Sequence, residues 1–149
     1  MSLALIGKEA SYEFRWRRWA LLRDVVAHHL EGDVGGSRFP RLAGLGDCMV
    51  QGGSRLPAAE LGAELAEIRK ELAGRGIDQL VMGPGTAQVL YLGATIRGLP
   101  RPLTAAEATR VAPTTGVGDL AEYFGSLLDG LEEVCRNPCD DGTLEAIDV

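Results

Sequence analysis

The 149-residue sequence predicts an α+β fold: a small antiparallel sheet of about four strands, covered by three to four helices, in a single domain. Three observations predict it. Two pairs of short β-patterned runs are neighbours in sequence, which favours hairpins over the crossovers of a parallel sheet. Three stretches carry apolar residues at i, i+3, i+4 and i+7, the mark of helices with one buried face. A length near 150 residues suits one hydrophobic core.

Leu3–Ile6 is the first expected strand. Tyr12, Phe14 and Trp16 alternate with Glu13 and Arg15, the period-two pattern of a half-buried second strand, and Gly7–Ser11 joins the two into a hairpin. From Trp16 to Glu31 the period changes to that of a helix, with Trp19, Leu22, Val26 and Leu30 on one face and Gly32 as its stop. Residues 32–57 hold seven glycines together with Pro40 and Pro57, and neither period survives there. The expectation is a glycine-rich loop with a short strand near Cys48–Gln51, dispensable for folding and free to act as a lid.

Pro57 suits the first position of the next helix, whose stripe is Leu61, Leu65, Ile68 and Leu72, flanked by Glu60, Glu64, Glu67 and Glu71. Two further strands, 79–82 and 89–92, bracket Gly83-Pro84-Gly85, and their apolar character on both faces points to central positions in the sheet. Thr104 and Glu107 form a capping box for a short helix that ends before Pro113. The last helix, about 118–136, is the best patterned: Leu120, Tyr123, Phe124, Leu127, Leu128, Leu131, Val134 and Cys135 share a face. Its Gly125 and Gly130 make sense only where another element comes close. An acidic tail from residue 137 closes with one edge strand over 144–149.

Several activities lack their equipment. Three cysteines, Cys48, Cys135 and Cys139, are too few for a disulfide-stapled domain, and a cytoplasmic, reduced protein is expected. The only histidines, His28 and His29, are adjacent on a helix and diverge by roughly 100°, so no metal site is expected. Gly44-Leu45-Gly46 and Gly83-Pro84-Gly85 match neither a dinucleotide fingerprint nor a P-loop, and no cofactor is expected. Cys135 lies on an apolar stripe at a helix C-terminus, the wrong end to activate a thiol, whereas Cys48 is the thiol with room to react. No window approaches a membrane span.

Charge is the strongest global signal. The net charge is −6, yet residues 119–149 contain nine acids against Arg136, or −8, which leaves +2 for the rest. Nucleic-acid binding is therefore not expected. The reading that follows is a non-catalytic protein-binding module, such as an immunity protein or antitoxin that neutralises a basic partner. Its expected contact residues are Asp129, Glu132, Glu133, Asp140 and Asp141, with Trp16, Arg18 and Trp19 from the one basic and aromatic cluster. The alternatives are an assembly subunit acting through self-association and a small enzyme or ligand-binding domain with residues 32–57 as lid.

Overall fold

A computed structural model describes residues 2–32, 34–51, 54–73, 80–82, 89–91 and 124–149. These form an α+β domain whose main feature is a four-stranded antiparallel sheet backed by four helices. Strands β1 (Ser2–Ile6) and β2 (Ser11–Arg15) make the expected hairpin, with Leu3 opposite Phe14 and Leu5 opposite Tyr12. Leu3, Leu5 and Phe14 are buried in the core, Tyr12 packs against it on the same face, and Glu13 is exposed. Trp16 does not extend β2. It opens helix α1 (Trp16–Leu30) after an extended Arg15, and its indole still reaches the core beside Phe14 and, edge to face, Trp19. An apolar residue two places past a strand can thus continue the strand's buried face from a helix's first turn. Gly32, at φ 60°, ends the helix as expected.

The glycine-rich segment is where sequence and structure part. Residues 40–51 are helix α2 (Pro40–Gln51), followed by strand β3 (Ser54–Pro57), so the expected loop contains two regular elements and the strand near Cys48 is helix. Phe39, Leu42, Leu45 and Cys48 recur every third residue and are all buried, which makes the segment part of the core rather than a dispensable lid. The glycines conceal this period, although Gly46 serves packing rather than flexibility. A Cβ at Gly46 would lie 2.8 Å from Cη2 of Trp19, whose Nε1 donates to the Leu42 carbonyl at 3.0 Å.

Helix α3 (Ala58–Leu72) buries Leu61, Leu65, Ile68 and Leu72 as its stripe predicts, with Pro57 as the last residue of β3 and the N-cap, one place before the helix. Strands β4 (Leu80–Met82) and β5 (Val89–Tyr91) pair antiparallel, as expected of a hairpin, but in a two-stranded sheet of their own rather than in the centre of the main one. The expected turn at 83–85, the helix at 104–111 and the first part of the last helix lie outside the described residues.

Helix α4 (Gly125–Cys135) packs on α3, β1 and β2 and buries Leu127, Leu128, Leu131 and Val134. Gly130 answers to a close approach, since any Cβ there would overlap the Tyr12 ring, whereas Gly125 faces open space. The acidic tail is no tail and its strand no edge. Strand β6 (Thr143–Asp148) lies between β1 and β3 in the order β2-β1-β6-β3, with Leu144 and Ala146 fully buried. No helix among the described residues is long and apolar enough to cross a membrane.

Candidate functional site

The residues expected to meet a partner fall in three places. Asp129 and Glu132 stand on α4 against Arg69 of α3, which donates from Nη2 to Asp129 at 2.6 Å and from Nε to Glu132 at 2.9 Å. These contacts, that to Glu132 foremost, hold the Arg69 guanidinium more firmly charged than usual. Glu133 is exposed on the same helix. Asp140 meets Lys8 at 2.7 Å, both mostly exposed. Asp141 folds back on its own turn, accepting from the Thr143 amide (3.0 Å) and hydroxyl (2.7 Å), bonds that lower its pKa below the usual carboxylate range. Asp129, Glu132, Asp140 and Asp141 are thus interleaved in space with bases from the β1–β2 turn, β3 and α3.

Trp16 and Trp19 are core residues at 7% and 4% exposure. Arg23 stacks over the Trp19 ring at 4.8 Å, and Arg18 donates to the Ser126 hydroxyl at 2.6 Å. The cluster therefore fastens α1 to the sheet and to α4, with its arginines at the rim.

The thiols divide by burial. Cys135 is pushed up to about 11 by desolvation, with Glu132 adding to the effect. Desolvation also raises Cys48, against a smaller opposing hydrogen bond from Ser54. Neither is activated, for a nucleophilic cysteine requires a lowered pKa. Cys139 is half-buried, its sulfur 3.8 Å from the Ile6 carbonyl. Among the described residues no His, Cys, Asp and Glu side chains group to hold a metal ion.

Cys48 nonetheless borders a recess of about 210 Å³ between α2 and β3. Its helical wall is Pro40, Arg41, Gly44, Asp47 and Cys48, spaced so that all lie toward one side of α2. The opposite wall is the whole of β3, Ser54 to Pro57. The walls are set by two carboxylate contacts of α3 to α2. Glu64 accepts the amides of Arg41 and Leu42 at 3.0 Å, neutralising the N-terminus of α2, and Glu60 pairs with the Arg41 guanidinium at 2.6 Å. On the other wall Arg55 donates to the Thr143 hydroxyl at 3.1 Å. The recess thus has an apolar floor, with Leu56 and Cys48 buried, and a rim carrying both charge signs.

The site was not legible in the sequence because both of its walls fall within the segment expected to be a loop. The available signal was the triplet spacing Phe39, Leu42, Leu45, Cys48, which marks a helix despite Gly44 and Gly46. No protein-family model matches the chain, and no curated protein or solved structure matches it either.

Proposed function

We propose that the protein is a non-catalytic protein-binding module and that its partner docks at the α2–β3 recess. The observation that carries this reading is the recess itself, an apolar floor ringed by Arg41, Asp47 and Arg55 at the border of a sheet. That arrangement matches the apolar centre and charged rim of protein interfaces. The raised pKa of Cys48 supports binding over covalent chemistry, because a protonated thiol is a poor nucleophile. The α4 acids support the scaffold in this reading, because Asp129 and Glu132 are engaged by Arg69.

The test is photo-crosslinking in the source cells from a benzoylphenylalanine at position 44, with position 59 on the exposed side of α3 as control. A discrete protein adduct from position 44 alone is the expected result. Adducts only between copies of this chain would replace the reading with self-association, and adducts of equal yield from both positions would remove the recess from it.

A further inference from the structure

Strand β3 is an outer strand of the sheet, and the hydrogen-bond phase says which of its backbone groups face outward. The Ala58 amide donates to the Gly142 carbonyl at 3.1 Å, continuing the β3–β6 register in which Leu56 lies opposite Leu144 and Ser54 opposite Ala146. Bonded pairs alternate along an antiparallel ladder, so Leu56 and Ser54 turn their amides and carbonyls toward β6. The other side of β6 gives the same phase: Val149 and Ser2 exchange bonds of 3.0 and 3.3 Å, so odd residues of β6 serve β1 and even ones serve β3. Arg55 therefore presents both its N–H and its C=O away from the sheet, and Pro57 presents a C=O.

We infer that the partner supplies an extended segment that pairs with β3 as a fifth strand of the sheet, held at Arg55, with one side chain seated in the α2–β3 recess. The inference rests on the reading of the recess as a protein-docking site and names what docks there. An outward donor and acceptor on one residue match the two groups of one residue on an extended chain, the unit of strand addition. The helix opposite supplies the second wall, and alternate side chains of an added strand point the same way, so one of them meets the recess. Room for a single aliphatic or aromatic group over Leu56 and Cys48 sets the preference at that position. Pro57 withholds the next donor, which keeps the edge short and discourages pairing with further copies of itself.

The probe is a phage-displayed library of random linear dodecapeptides selected on the full-length protein, with enriched peptides synthesised and their affinities measured by fluorescence polarisation. Arg55→Pro removes the outward N–H and no bond to β6, Arg55→Ala removes only the side chain, and Gly44→Trp fills the recess from a position with open space around its Cβ. Strand addition predicts at least a tenfold loss of affinity with Arg55→Pro and with Gly44→Trp, and little change with Arg55→Ala. It also predicts that N-methylating the peptide at alternate residues abolishes binding while methylation between them does not, a readout independent of how Arg55→Pro folds. Binding that survives backbone methylation at every position but is lost in Gly44→Trp would overturn strand addition and leave the docking site standing. Failure to enrich any peptide, or enrichment of peptides indifferent to Gly44→Trp, would overturn both.

Discussion

Glu31 shows how one side chain can organise a turn. It is 8% exposed, and its carboxylate accepts the amides of Arg38 (2.9 Å) and Phe39 (3.0 Å), delivering the chain from α1 to α2. Glu31→Ala leaves two amides without that acceptor, and a loss of about 2–3 kcal/mol is expected in urea unfolding. A loss under about 0.5 kcal/mol would mean that water replaces the carboxylate at no cost. The glycines of α4 make a paired test of opposite sign. Gly130→Ala must push against the Tyr12 ring and should destabilise the protein, whereas Gly125→Ala meets nothing and should gain a few tenths of a kcal/mol from helix propensity. Equal effects of the two would contradict the close packing of α4 on β2. Cys135 adds a pH dependence. Its pKa is raised from 9.0 to about 11 by burial, so the folded state keeps a proton that the unfolded chain has already released. The stability from this neutral thiol is complete below pH 9 and is lost as the pH climbs through 11. The urea midpoint of the wild type should accordingly fall more steeply between pH 8.5 and 10.5 than that of Cys135→Ala, and parallel curves would refute the assignment.

At the level of elements, legibility followed the purity of the period. The β1–β2 hairpin, α1 and α3 were readable because their buried positions carry large apolar residues without a gap, as in Leu61, Leu65, Ile68 and Leu72. Helix α2 was not, because its packing uses what sequence patterns discount: Gly46 admits Trp19, and Glu64 caps the N-terminus from another helix. Strand β6 was legible as a strand but not as an inner one, since its place between β1 and β3 is decided by partners more than 80 residues away, as Arg55 opposite Glu145 shows. The recess was lost with α2 and β3, which share the glycine-rich segment. The recovered helix reverses the expectation for the glycine-rich segment. Deleting 35–46 removes Phe39, Leu42 and Leu45 from the core and should abolish cooperative unfolding. Leu42→Ala alone should cost about 2–5 kcal/mol, as should Leu127→Ala on α4. Persistence of a sharp transition after the deletion would show that α2 only rests on the domain.

For the whole molecule, the question is whether a charge imbalance along the chain becomes a field around the fold. The −8 of residues 119–149 suggests a strongly acidic face. Folding places Arg69 against Asp129 and Glu132, Lys8 against Asp140 and Arg55 near Asp141, at 3.8 Å in the last case, so that four of the five expected contact acids sit beside a base. Long-range steering scales with the summed charge of a face, and interleaved signs cancel within a Debye length of about 8 Å. The same pairing changes what charge reversal does. Glu132 is the least exposed member of its cluster, and Asp129 is open to solvent; the bond from Arg69 to Glu132 spans the packed faces of α3 and α4. Lysine at 132 therefore sets two cations together at a half-buried contact, where screening is weakest. Lysine at 133 lies on the exposed side of α4 and disturbs no such contact. Glu132→Lys should lower the Tm by several degrees, Asp129→Lys by less, and Glu133→Lys hardly at all, an ordering that follows the exposure of each group. Calorimetry of the three single variants at low and at high salt provides the measurement, with the Glu132→Lys deficit persisting in salt because a half-buried pair is screened less than an exposed one. Three equal and negligible shifts would return these carboxylates to the free surface, and the acidic face would then regain its claim as the docking site.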